Sequence, residues 1–80
     1  MSDIKQSITN LIRTCRIESG MVQSEVAKRV GISFRTYQRI ELGEVVPRTD
    51  VMIRLLDLFG LEAKLKFVDI FSREKMGENK

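Results

Sequence analysis

The chain contains no histidine and no tryptophan, and it has only one cysteine and one proline among 80 residues. A single cysteine excludes an intrachain disulfide, and without histidine the chain lacks the commonest metal ligand and the acid–base group of neutral pH. The sequence also has no P-loop and no glycine-rich phosphate-binding loop. We therefore expect no catalytic residue, no metal and no cofactor, and we do not predict an enzyme.

Long apolar runs are missing as well. No stretch is long enough to span a bilayer, and the N-terminus lacks the basic-then-apolar pattern of a signal peptide. We therefore expect a cytoplasmic protein with no membrane partner.

Small size and a mild positive charge limit the classes of protein to which the chain could belong. A chain of 80 residues makes one domain, and such a domain buries only roughly 60% of its unfolded surface, so dimerisation would help it. The 14 Lys and Arg exceed the 11 Asp and Glu by 3, an excess that permits phosphate binding without requiring it.

An apolar stripe at helical spacing predicts a first helix from about Asp3 to Glu18. Ser2 or Asp3 can cap this helix and Gly20 can end it. The stripe consists of Ile4, Ile8, Leu11, Ile12 and Cys15. Because Cys15 continues the stripe, we predict a buried apolar residue there and not a reactive thiol.

The segment 23–43, QSEVAKRVGISFRTYQRIELG, begins with a second short helix. Val26, Ala27 and Val30 form one apolar stripe on it. Gly31 follows directly, where a chain leaving a helix often adopts a left-handed conformation. The helix is therefore predicted to end at Val30, and Ile32 can enter the core from the turn.

A third helix follows the turn at once. Ser33 offers a hydroxyl as its N-cap, and Phe34 is its first residue. Tyr37 and Ile40 face inward at a spacing of three, and Gly43 ends the element. Two short helices joined in this way form a helix-turn-helix, a pattern typical of DNA binding.

A fourth helix is predicted after a loop at 44–47. Pro47 suits a helix entry, since its fixed φ and missing amide do little harm there. The helix begins near Thr49 and ends at Gly60, with Met52, Leu55, Leu56 and Phe59 inward. We therefore assign residues 1–60 to a helix-turn-helix DNA-binding domain.

Beyond Gly60 the apolar residues alternate with polar ones, which predicts a strand over residues 61–70. A lone strand has unpaired edges, so we expect it to pair with the same strand of a second copy in a homodimer. The dimer interface would consist of Leu61, Ala63, Leu65 and Phe67. A final helix with accidental alternation is the competing interpretation. The sequence is polar from Ser72 to Lys80, and residues 71–80 are expected to form a flexible tail, or alternatively a partner-binding element.

The chain resembles the Xre/Cro family of bacterial and phage repressors from about Ile8 to Gly60. The resemblance is carried by Gly20, Gln23, Gly31-Ile32-Ser33, Arg39-Ile40-Glu41, Gly43 and Pro47. It implies an all-α, lambda-repressor-like domain. The C-terminal β-strand that we expect to pair across the dimer comes from the alternation alone, and it departs from the common family pattern, since many relatives carry a further helix there. The resemblance also implies a sequence-specific transcriptional regulator, a dimeric repressor of its own operon that binds a roughly palindromic operator in double-stranded DNA.

The resemblance further implies roles for individual residues. An arginine at the place of Arg16 pairs with the glutamate that ends the recognition helix, here Glu41, as a structural ion pair. Arg48 matches a place where some phage repressors direct an arginine toward the DNA backbone or minor groove. The terminal strand resembles that of HipB-type antitoxins, which would make a HipA-like kinase toxin a partner.

The third helix is expected to enter the major groove and to contact bases. Arg35 and Arg39 can each donate two bonds to guanine, and Gln38 can pair with adenine. Phe34 either contacts a thymine methyl group or packs locally. Amides at the start of the second helix, with the side chains of Gln23 and Thr36, can bind phosphates. The candidate DNA-binding residues are Gln23, Ser33, Phe34, Arg35, Thr36, Gln38, Arg39, Gly43 and Arg48.

Other interpretations remain open at this point. A phage or plasmid repressor and a restriction-modification controller have the same kind of DNA-binding domain. A helix-turn-helix used only as a protein-interaction module is the alternative of another class.

Overall fold

The computed structural model describes residues 4–78, with side chains from 4 to 72, and α-helix is the only regular secondary structure in this part of the chain. Five helices follow one another: α1 Ile4–Glu18, α2 Gln23–Val30, α3 Phe34–Glu41, α4 Thr49–Phe59 and α5 Leu61–Glu78. None of these helices is both long enough and apolar enough to cross a bilayer. The expected caps of α1, Ser2 and Asp3, lie outside the described residues.

The turn between α2 and α3 is fixed by two local features, a left-handed glycine and a serine N-cap. Gly31 has a φ of 76°, and its amide donates to the carbonyl of Lys28, which closes α2. Ser33 Oγ accepts a hydrogen bond of 3.0 Å from the amide of Thr36 and so caps α3. The predicted end of α2 at Val30 and start of α3 at Phe34 are those of the structure.

The core lies where α1, α2, α3 and α4 meet. Its fully buried side chains are Ile12, Val26, Val30, Tyr37, Ile40 and Leu55. A buried hydroxyl also joins two helices, because Thr9 Oγ1 of α1 donates to the carbonyl of Ile40 in α3 at 3.3 Å. The helix-turn-helix is thus held from behind by α1 and α4.

The prediction of a C-terminal strand is wrong, since residues 61–70 lie in α5. Ala63 is buried against Leu11 and Cys15 of α1, and Phe67 and Ile70 pack on the same cluster. These three residues of α5 recur at the spacing of one helical face. A helix also satisfies its own backbone hydrogen bonds, which a lone strand would leave unpaired.

Two further expectations depended on that strand. The paired ribbon through Leu61, Ala63, Leu65 and Phe67 does not form, because Ala63 and Phe67 pack in the core of their own chain. The resemblance to HipB-type antitoxins also loses the feature that carried it. Residues 71–78, expected to begin a flexible tail, continue α5, and residues 79 and 80 lie outside the described part.

Candidate nucleic-acid interface

The outer face of α3 is set by what its inner face buries. Tyr37 and Ile40 are buried in the core, so the helix turns its other side to solvent. Five of the predicted DNA-binding residues are exposed or half-buried on that side, namely Phe34, Arg35, Thr36, Gln38 and Arg39. The fold therefore brings these side chains together on one surface of a single helix.

The N-terminal end of this surface is ordered by the Ser33 cap. Ser33 Oγ also donates to Thr36 Oγ1 at 2.9 Å, so the two hydroxyls are held side by side. Phe34 is 47% exposed beside them. An aromatic ring next to fixed hydroxyls offers an apolar contact and hydrogen-bonding groups at the end of the helix that would approach a groove first.

Glu41, the last residue of α3, is buried and binds three side chains. Arg16 Nε lies 2.6 Å from Glu41 Oε2, and Gln23 Nε2 donates to Glu41 Oε1 at 2.9 Å. The hydroxyl of Tyr37 donates to Glu41 Oε2. Helices α1, α2 and α3 are therefore joined at one carboxylate, and Gln23 is engaged there through one of the two N–H donors of its amide.

This cluster shifts the pKa values of its members. Burial alone would raise the pKa of the Glu41 carboxyl, but hydrogen bonds from Arg16, Tyr37 and Gln23 together hold that pKa below its ordinary value. Burial, followed by the hydrogen bond to Glu41, raises the pKa of Tyr37. The hydrogen bond to Glu41 also raises the pKa of Arg16. The carboxylate is thus kept charged and the phenol neutral.

One acidic residue lies beside the outer face of α3, which we call the recognition surface. Arg39 Nε is 3.2 Å from Glu44 Oε1, and the two side chains are 53% and 54% exposed. Together with Arg35, Gln38 and Leu42 they line a shallow depression of about 300 Å³. Neither Glu44 nor Leu42, which is 72% exposed, is among the DNA-binding residues predicted from the sequence.

The remaining candidates flank α3. Val22 gives α2 no side-chain cap, so the first amides of α2 stay available to a phosphate oxygen. Gly43, with a φ of 80°, begins the loop after α3. Arg48 is 87% exposed and lies 3.7 Å from Asp50 at the start of α4. Arg48 is thus an exposed cation at the N-cap of α4 and not part of a buried network.

Comparison with known proteins assigns this arrangement to a family. A model of the helix-turn-helix family HTH_3 matches residues 12–65, which is more than half of the chain and includes α2, α3 and α4. No curated protein and no solved structure matches the chain. The chain therefore belongs to the HTH_3 helix-turn-helix family of Xre/Cro type, whose domain is that of DNA-binding transcription regulators.

Proposed function

We propose that this protein is a sequence-specific regulator that binds double-stranded DNA as a homodimer and represses its own operon in the cytoplasm. The observation that carries the proposal is the outer face of α3, where two arginines, a glutamine and a threonine are presented by a helix that the core holds rigidly. Long donors on an exposed recognition helix match the acceptor pattern of the major groove.

The helix would enter the major groove with its N-terminal end. Arg35 and Arg39 would donate to guanine, and Gln38 would pair with adenine, each good bidentate contact contributing ~1 to 3 kcal/mol of discrimination. Phe34 would contact a thymine methyl group. The amides of α2, Thr36 and the loop at Gly43 would bind phosphates, which position the protein without selecting sequence.

A second copy would double this short contact. One recognition helix of eight residues is about 12 Å long and covers only a few base pairs. Leu61, Leu65 and Val68 are 70%, 61% and 58% exposed and fall on one face of α5. An exposed apolar face of this kind supports self-association through α5, and a two-fold dimer would bind a roughly palindromic site with half-sites about one helical turn apart.

The test is fluorescence anisotropy with the DNA upstream of the gene and a shuffled duplex of the same composition, over a salt series. We expect tighter binding to the upstream duplex, and we expect Arg35→Ala and Arg39→Ala to remove that preference. Arg13→Ala is the matched control, because Arg13 is an exposed arginine of α1 whose Nη2 donates to the nearby Asn10. It should keep the preference.

Two results would count against the proposal. Equal affinity of the wild-type protein for both duplexes at every salt concentration would reject sequence-specific autoregulation. Absence of binding to either duplex at low salt would reject DNA binding itself, and would favour a protein-interaction module.

A further inference from the structure

Glu44 is brought against α3 by the turn that ends the helix. The amide of Gly43 donates to the carbonyl of Ile40 at 3.1 Å, and the amide of Glu44 donates to the carbonyl of Arg39 at 3.0 Å. This is the Schellman pattern, which reverses the chain over the last turn of a helix. Glu44 is therefore attached to Arg39 through its backbone as well as through its carboxylate.

The contact between the two side chains uses only part of the guanidinium. Glu44 Oε1 accepts from Arg39 Nε at 3.2 Å. The two terminal nitrogens, Nη1 and Nη2, remain to donate in parallel, which is the arrangement that O6 and N7 of guanine accept. An arginine held by its Nε also loses less side-chain freedom when it binds than an unrestrained one. Arg35, by contrast, has no ion-pair partner in the part of the chain that the structure describes.

The same carboxylate has a second effect on binding. Glu44 is half exposed and lines the depression with Arg35, Gln38 and Arg39. A negative charge beside the recognition helix repels phosphates, and phosphate attraction supplies essentially all non-specific affinity. Glu44 thus opposes binding wherever Arg39 does not find its base.

We propose, on the basis of the proposed DNA-binding function, that Glu44 is a positioning residue that determines specificity. It holds the guanidinium of Arg39 in the position and orientation needed to donate to a guanine in the major groove. It also weakens attachment to DNA that lacks this guanine. Glu44 does not itself contact the base.

The test is binding-site selection from a random pool of DNA duplexes, followed by anisotropy on the selected duplex and on duplexes changed at one base pair. The variants are Glu44→Ala, Glu44→Gln, Arg39→Ala and the control Glu25→Ala. Glu25 is a matched control because it too forms an exposed ion pair, with Arg29 at 3.3 Å, but on α2.

We expect Arg39→Ala to remove a guanine preference of the wild-type protein. Glu44→Ala should weaken the same preference about three- to five-fold, the effect of losing a partly exposed ion pair, and should raise affinity for unrelated DNA about two- to five-fold. Glu44→Gln should raise the affinity for unrelated DNA but keep part of the preference, since its amide oxygen can still accept from Arg39 Nε. Glu25→Ala should leave the guanine preference unchanged.

Three outcomes would overturn the inference, and they differ from one another. If Arg39→Ala loses a guanine preference that Glu44→Ala keeps, DNA binding stands and the role of Glu44 is rejected. If Arg39→Ala keeps every base preference, Arg39 needs no positioning. If the wild-type protein selects no consensus at all, the proposed function fails together with the inference. Melting curves of the four variants test for a merely structural cause, and all three glutamate variants should melt within a few degrees of wild type.

Discussion

Arg16 and Glu41 join the first helix to the last residue of the recognition helix through a contact of 2.6 Å between Nε and Oε2. The side chains of Glu41 and Arg16 are 4% and 16% exposed, so water screens the pair only weakly. A second bond, from Arg16 Nη2 to Glu41 Oε1 at 3.2 Å, makes the contact bidentate. The pair therefore fixes the orientation of α3 relative to α1.

Truncation of either partner should destabilise the fold strongly. In Arg16→Ala the Glu41 carboxylate would stay buried without its cation, which costs about 3 kcal/mol. For a domain of this size the melting midpoint should fall by more than about 10 °C, measured by circular dichroism. Glu25→Ala is the control, because its exposed pair with Arg29 should contribute less than ~1 kcal/mol. Equal midpoints for the two variants would contradict a structural role of the Arg16–Glu41 pair.

The stability of the protein should fall in acid because of Glu41. The pKa of Glu41 is held below its ordinary value of 4.5 in the folded chain. The folded state therefore binds this proton less readily than the unfolded state, so the contribution is present above pH 4.5 and is lost as the pH falls through the folded pKa. Urea unfolding of the wild type and of Glu41→Gln between pH 7 and pH 3 measures it, since the variant has no carboxyl at this position and should show the shallower acid loss. Parallel pH profiles would contradict the assignment to Glu41.

Removal of the Ser33 cap should destabilise α3. Ser33→Ala leaves the amide of Thr36 without its acceptor, which costs ~1 kcal/mol and lowers the melting midpoint by about 4 to 8 °C. Ser7→Ala is the control, because Ser7 is exposed within α1, where alanine has the better helix propensity. A Ser33→Ala midpoint equal to that of Ser7→Ala would show that the cap contributes nothing.

A charge on the outer face of α5 should prevent dimerisation. Leu65 is 61% exposed, so Leu65→Glu should leave the fold intact while placing like charges opposite each other in the dimer. Light scattering after size exclusion should give twice the 9.2 kDa chain mass for the wild type and a single chain for the variant. Ile17→Glu is the control, since Ile17 of α1 is also 61% exposed. A wild type of one chain mass at all concentrations would reject the α5 dimer.

The helix-turn-helix was predictable because its signals are local. Gly31 and Ser33 each fix the conformation of the chain within a few residues, so the ends of α2 and α3 follow from the sequence. The identity of α5 was not predictable in this way. Ala63 and Phe67 are four apart, a spacing that belongs to a helical face and to one side of a strand alike. The helix is favoured over the strand by Leu11 and Cys15 of α1, which give Ala63 a surface to pack against.

The acidic residue beside the recognition surface was missed for a similar reason. Glu44 is five positions beyond Arg39 in the sequence, and a continuing helix would not place these side chains next to each other. The left-handed Gly43, with a φ of 80°, turns the chain back and brings them together. The sequence signal of this contact is an acidic residue directly after the glycine that ends a helix.

The ties between α1 and α3 have a thermodynamic consequence for binding. A segment of eight residues is too short to be a stable helix in isolation, and α3 is ordered by the Arg16–Glu41 pair and by the bond from Thr9 to Ile40. The loss of conformational entropy that accompanies the ordering of α3 therefore occurs during folding and not on DNA binding. Association should then proceed as docking of a preorganised surface, with a heat-capacity change set by the area buried at the interface and no added contribution from coupled folding.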